Sequence, residues 1–261
     1  MAKEVGVEWV NAYDCLNQLT HEHEDAGGFY DELVNHDGWV GSFNWGNGAA
    51  WEQDFKRPDK GGTANSWVDT ADIVYFTGHG SPWGFYFRCD VPDDNLVECD
   101  HYSGPTNGDL RLGRIDLEWL ALEVCNTLQY EADLNGTTLD VFDRWADAFQ
   151  GMHTICSFTT VSLDLATPGR YFAAYLDGRW PSVIFGIPEW IIGRIPLKVI
   201  DAWFSMTSVT QPAPYVAAVM YANTQGTDTH NDYIWDRGHV SADPRPGAAN
   251  WFSWTWVTHP C

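Results

Sequence analysis

Ala71-Asp72-Ile73-Val74-Tyr75-Phe76-Thr77-Gly78-His79-Gly80 decides the fold. An unbroken apolar run of this length reads as a strand buried on both faces, the kind that builds parallel sheets. A second run, Leu117-Glu118-Trp119-Leu120-Ala121-Leu122-Glu123-Val124, closes on Cys125-Asn126 in the same way. As parallel neighbours, the two strands bring an imidazole and a thiol to the carboxyl edge of one sheet. Sites in open α/β folds lie at that edge. A cysteine nucleophile needs a base or cation beside it, and histidine commonly supplies one.

Outward from these runs, Val5 to Tyr13 reads as a first strand and Glu24 to Asn35 as a helix with Phe29, Tyr30, Leu33 and Val34 on one side. Asn44 to Lys56 reads as a second, shorter helix. A β-rich excursion, Gly84 to Arg88, separates the two central strands. Leu139 to Phe149 has helical apolar spacing. Thr154 to Thr160 reads as a strand, Pro168 to Leu176 and Leu197 to Met206 as helices, and Tyr215 to Tyr221 as a buried strand. Trp251 to Val257 alternates like an edge strand. Asn135-Gly136-Thr137 has the form of a sequon but reads more simply as an Asn-Gly turn. Helices alternating with apolar strands give an α/β fold, a mostly parallel sheet with helices on both faces. No linker divides the chain, so residues 1–261 read as one domain, with a core at about 5–222 and a β-rich extension over 223–261.

The chain has 261 residues, 36 Asp and Glu against 14 Lys and Arg, and a formal charge of −22. That balance disfavours nucleic acid and anionic membranes, which need Lys and Arg to meet phosphate. Only four lysines occur and Asp outnumbers Glu, a pattern shared by salt-adapted proteins and by ordinary acidic surfaces. The longest apolar region, Val183 to Phe204, contains Glu189, Arg194, Lys198 and Asp201, so it reads as core packing, with a hydrophobic lid as the alternative, and not as a membrane span. No signal peptide is visible, so a cytoplasmic location is expected, a processed secreted form being the alternative. Six cysteines show no CxxC pair, which argues against a zinc ribbon. Cys89 and Cys99 flank a turn-like stretch and either close a local disulfide or stay reduced. His21-Glu22-His23-Glu24-Asp25 has metal-ligand residue types but reads as a solvated loop before a helix. No cofactor or metal is expected.

Thr77-Gly78-His79-Gly80-Ser81 is similar to the histidine motif of the caspase-like cysteine peptidases, among them legumains, metacaspases, gingipains and clostripain. Leu122-Glu123-Val124-Cys125-Asn126 is similar to their cysteine motif, and the separation of 46 residues suits the group. Phe43-Asn44-Trp45-Gly46, the His79 motif and Leu117-Glu118-Trp119 in combination resemble, more narrowly, a prokaryotic family of unknown function within that fold. The resemblance covers about residues 5 to 222 and implies a three-layer caspase-like sandwich. It also implies His79 as general base and then acid, Cys125 as nucleophile, and backbone N–H groups of Gly80 and Cys125 as the oxyanion hole. The position two before the cysteine lines the specificity pocket in several of these families. Here it is Glu123, on the same strand side as Cys125, and it favours a substrate with Lys or Arg. Asp164 is a second candidate for that pocket, and Trp83 a candidate wall of the substrate cleft. The alternative for Glu123 is an ion pair with Arg111 or Arg114. Two features depart from the group: Asn126-Thr127-Leu128 follows the cysteine where many relatives have a small residue or glycine, and no long crossover helix is evident between the strands.

The leading expectation is cysteine-dependent peptide hydrolysis or related acyl transfer through a His79–Cys125 dyad, on a peptide or protein substrate. Two rivals from other classes are a catalytically silent interaction or sensor domain and a scaffold redirected to small-molecule chemistry in an aromatic pocket.

Overall fold

The computed structural model describes residues 2–90, 95–179, 194–247 and 251–261. In chain order the regular elements are β1 (Glu4–Trp9), α1 (Glu22–Asp37), β2 (Val40–Gly46), β3 (Ile73–Thr77), β4 (Gly80–Ser81), β5 (Gly84–Tyr86), β6 (Leu96–Glu98), β7 (Trp119–Glu123), β8 (Glu131–Leu134) and β9 (Thr137–Asp140). They continue with α2 (Val141–Trp145), β10 (Thr154–Phe158), α3 (Pro168–Asp177), α4 (Val199–Thr210), β11 (Val216–Thr224) and β12 (Phe252–Pro260).

Seven strands form the main sheet in the order β12-β11-β10-β7-β3-β1-β2. The pairs from β2 to β10 are all parallel, and β11 runs antiparallel to both of its neighbours. The fold is therefore α/β with a mixed, mostly parallel sheet. Every residue of β3, β7 and β10 is buried, as expected of strands covered on both faces. The stretch read as an edge strand near the carboxyl terminus is β12, which does form one edge of the sheet.

Alternation along the strands divides the core. Val5, Val7, Ile73, Tyr75, Trp119, Ala121, Cys156 and Phe158 pack on one face against α1, α3 and α4. Val74, Phe76, Leu120, Leu122 and Ile155 pack on the other. Among the described residues that second face is covered by short 3-10 turns, the small β4–β6 sheet and the five-residue α2, so long helices stand on one face only. Its filling is aromatic: Phe55, Phe76, Phe85 and Phe87 stack within 6 Å of one another.

Several expectations need correction. Residues 44–56 hold no second α-helix: β2 ends at Gly46 and two 3-10 turns follow. Strand β2 is held by fit, since the Phe43 ring occupies the place of a Cβ on Gly6 and the Trp9 ring that of a Cβ on Gly46. The amphipathic stretch 139–149 is cut at both ends. Asp140 caps α2 by accepting from Phe142 and Asp143 N–H at 2.8 Å each, and the chain tightens into a 3-10 turn after Trp145. Residues 21–25 are the start of α1, with Glu22 and Asp25 buried, and not a solvated loop. Cys89 pairs with Cys15, 74 residues away, and Cys99 is a free buried thiol.

The Asn135-Gly136 turn closes the β8–β9 hairpin with both residues at positive φ, 51° and 85°. Of the apolar region Val183 to Phe204, residues 183–193 lie outside the described residues, so the lid reading falls there, while α4 packs Val199, Trp203 and Met206 on the helix-covered face. No helix among the described residues is long and apolar enough to cross a membrane.

Candidate active site

Strands β3 and β7 are paired in parallel with Thr77 opposite Glu123. His79 and Cys125 each follow two residues later, at the carboxyl edge. The two chain segments stay in contact beyond the strands. Gly78 N–H faces the Glu123 carbonyl at 3.5 Å. A Cβ on Gly80 would stand 2.7 Å from Val124 and 2.8 Å from the Cys125 carbonyl oxygen, so only glycine permits this approach.

His79 is half-buried, and its Nε2 lies 2.8 Å from the Asn17 carbonyl oxygen. A carbonyl can only accept, so Nε2 carries the proton and a neutral ring keeps its lone pair on Nδ1. The Tyr13 hydroxyl fixes the backbone: it accepts from His79 N–H at 2.9 Å and donates to the Tyr86 carbonyl at 2.8 Å. The Tyr13 and His79 rings lie 4.7 Å apart. Tyr86 N–H donates to the His79 carbonyl at 2.9 Å. The facing Gly80–Phe85 pair is then a non-hydrogen-bonded one, with the Gly80 N–H turned away from β5.

The loop that presents Asn17 is tied down. The Cys15–Cys89 disulfide joins it to the segment after β5. Arg88 Nη1 donates to the Ala12 carbonyl at 3.0 Å, Cys89 N–H to Asp14 at 2.8 Å, and the Asn47 amide oxygen accepts from Asn11 and Ala12 N–H.

Cys125 is half-buried, and the polar atoms nearest its sulfur belong to Ser162. The Ser162 N–H donates to Sγ at 3.4 Å and the Ser162 hydroxyl lies 3.8 Å away. No hydrogen bond joins this sulfur to the His79 ring. Asn126, the residue that departs from the small or glycine pattern, has φ = 61°. Asparagine tolerates that left-handed conformation better than other non-glycine residues do. The Asn126 N–H is spent on the Thr160 carbonyl at 2.8 Å.

Behind His79 and Cys125, on the helix-covered face, lies a group of acids. Glu123 is buried; Gln211 donates to its Oε1 at 3.1 Å, while Oε2 has no hydrogen-bond partner. Burial, then repulsion from Asp25 and Glu22, holds its carboxyl well above the usual range. Burial pushes Glu22 up to about 8, partly offset by the Thr77 hydroxyl that donates to it. Burial likewise raises Asp25 to about 7, against donors from Gly169 N–H at 2.5 Å and the Tyr75 hydroxyl at 2.8 Å. Asp164 accepts from Thr20 and His21 N–H at 2.6 and 2.8 Å and adds its charge to both Glu22 and Asp25. Sequence reasoning named Glu123 and Asp164 and missed Glu22, Asp25 and Gln211. Arg111 is not the partner of Glu123: it pairs with Asp100 at 3.0 Å and Asp147 at 3.4 Å.

A family described as a domain of unknown function, DUF6345, matches residues 7–257. The chain belongs to the DUF6345 family. No curated protein matches it in sequence. The matched span of the DUF6345 domain takes in His79, Cys125, the acid group and most of β12.

Beside Asn126 this DUF6345 chain carries an open cleft of about 840 Å³. It runs along the carboxyl ends of β7 and β10 between Tyr130, Thr160, Tyr215 and Trp256. Trp83 does not line it: its ring stacks under the Arg144 guanidinium at 5.7 Å and beside Tyr102. Among the described residues, two groups of side chains have metal-ligand composition, Asp14–Cys15–Cys89 and Asp72–Asp116–Glu118. In the first, both sulfurs are spent on the disulfide.

Proposed function

We propose that this protein is a cysteine-dependent peptidase or related acyl-transferring enzyme of caspase-like fold, working through His79 and Cys125. The observation that carries the reading is the pairing of β3 and β7. It sets an imidazole and a thiol at equivalent positions beyond adjacent parallel strands, with the imidazole proton committed to Asn17 and Nδ1 left as the base. His79 takes the thiol proton, and the Cys125 sulfur attacks the substrate carbonyl. The thioester forms as the leaving amine takes that proton back, and water then releases the acid. Backbone N–H groups of Gly80 and Cys125 are the donors assigned to the developing oxyanion.

The acids behind Cys125 support a basic residue before the scissile bond. A guanidinium or ammonium reaching Glu123, Glu22 and Asp25 would favour the ionised form of carboxyls that burial raises above their usual range. The open cleft that begins at Asn126, one residue beyond the thiol, is lined by neither His79 nor Cys125, and its open shape suits an extended peptide better than an enclosed small molecule. The Cys15–Cys89 bridge fits an oxidising compartment better than the cytoplasm expected from the sequence.

A second reading, a catalytically silent binding domain, draws on the sulfur's contact with Ser162 in place of His79. Peptide reporters with basic, acidic and neutral residues before the cut separate the two. Turnover of the basic set that disappears in Cys125→Ala supports the enzyme. No turnover of any set, or turnover that survives Cys125→Ala, overturns it.

A further inference from the structure

At the amino-terminal edge of the sheet, opposite the dyad, Asp72 leads into β3 while Asp116 and Glu118 lead into β7. One carboxylate oxygen from each lies within 4.8 Å of the other two. Backbone bonds enforce the meeting: Glu118 and Trp119 N–H both donate to the Asp72 carbonyl, at 3.1 and 3.2 Å, and Asp116 N–H donates to the Asp69 carbonyl at 3.0 Å. Asp72 and Glu118 are each 5 % exposed, and Asp116 is half-buried. The charged groups that face Glu118 are Asp72, Asp116 and Asp243, all acidic. Asp72 has a donor in Glu4 N–H at 2.5 Å. Glu118 gives one oxygen to the cluster, and its Oε2 is buried without making a hydrogen bond, the Trp235 indole N–H being a neutral donor close to this carboxyl. A buried carboxylate oxygen is costly unless something electropositive meets it.

We propose that Asp72, Asp116 and Glu118 bind a calcium ion that ties the amino-terminal ends of β3 and β7 together. The donors are all hard carboxylate oxygens, which suit calcium or magnesium and not zinc or copper. Calcium is favoured because two of the three ligands are dry, and magnesium gives up its waters reluctantly. His79 and Cys125 each lie seven residues further along these strands, about 23 Å away at 3.3 Å per residue. The ion is thus a brace between the two strands and takes no part in chemistry at the other edge.

Terbium serves as a luminescent stand-in for calcium. The Trp235 indole lies beside Glu118 and Trp119 is the next residue in the chain, so excitation of tryptophan should light a bound Tb3+. The intact protein is titrated with Tb3+ and then with Ca2+. The expected result is sensitised emission that Ca2+ displaces, with Tb3+ affinity at least about tenfold weaker in Asp116→Asn and in Glu118→Gln. Asp14→Asn, in the disulfide-spent group, should bind as the natural chain does. Circular dichroism checks that each variant is folded; Asp116, half open to solvent, is the substitution least disruptive to the fold. Absent emission, or emission and displacement unchanged in both site variants, overturns the proposal. The readout is independent of catalysis, so it stands or falls apart from the peptidase reading.

Discussion

His79 Nε2 donates a hydrogen bond to the carbonyl oxygen of Asn17 at 2.8 Å. The partner is a backbone group on a loop, 62 residues earlier in the chain, and it sets which ring nitrogen is free to act as a base. Everything that steadies this loop therefore bears on the proposed role of His79.

The first such support is the Tyr13 hydroxyl, which spans His79 N–H and the Tyr86 carbonyl. Tyr13→Phe leaves both backbone groups without this partner in a half-buried site. Urea unfolding should show a loss of about 1–3 kcal/mol. A loss under about 0.5 kcal/mol would mean that the hydroxyl does not hold the segment.

The second is the Cys15–Cys89 disulfide, which closes a long loop. Replacing both cysteines by serine should cost about 2–4 kcal/mol in urea unfolding. The natural protein treated with a dithiol reductant should lose a similar amount, and the double variant should not respond to it. Equal stability of the bridged and serine forms would show that the bridge adds nothing.

Glu22 and Asp25 make stability depend on pH with a definite sign. Their folded values, about 8 and about 7, lie above the ordinary 4.5 and 3.8. The folded state thus holds protons that the unfolded chain gives up. This contribution is full below about pH 4 and is lost as pH rises through 7 and 8. Glu22→Gln should flatten the decline between about pH 4.5 and 8 by up to about 1.4 kcal/mol per pH unit. Urea midpoints measured across that range check it; parallel curves for the two proteins would contradict it.

Glu123→Gln keeps shape and the Gln211 contact at a position where burial raises the carboxyl well above its usual range. Stability at pH 7 should change little. Reporters with Lys or Arg before the cut should lose about thirtyfold or more in kcat/KM, roughly the 2 kcal/mol of a buried charge contact, while neutral reporters are nearly unaffected. An equal fall for both reporter classes would remove Glu123 from specificity.

The central strands were legible because two-sided burial writes itself as an unbroken apolar run, and their ends placed His79 and Cys125. Strand β2 was not, because its half-exposed, glycine-broken sequence depends on Phe43 over Gly6 and Trp9 over Gly46, contacts that span over thirty residues. Asn17 acts through its backbone carbonyl, and a carbonyl leaves no mark on residue type. Glu22 and Asp25 were hidden within an acidic run that looks solvated. Their signal was the spacing that puts them on the same helical face as Phe29 and Leu33, all of them buried. Spacing alone favoured Cys99 for Cys89, while the loop from Tyr13 onward carries the true partner, Cys15.

The dyad itself is tested by native-state alkylation with iodoacetamide, read by mass spectrometry for each cysteine. Cys99 and Cys156 are buried with their thiols pushed upward, the first to about 12, Cys15 and Cys89 are bonded, and Cys261 is half-buried with its thiol also raised. The proposal predicts that Cys125 reacts first and that His79→Ala slows it by about tenfold or more. Labelling of Cys125 no faster than that of Cys261, or a rate unchanged in His79→Ala, would contradict it.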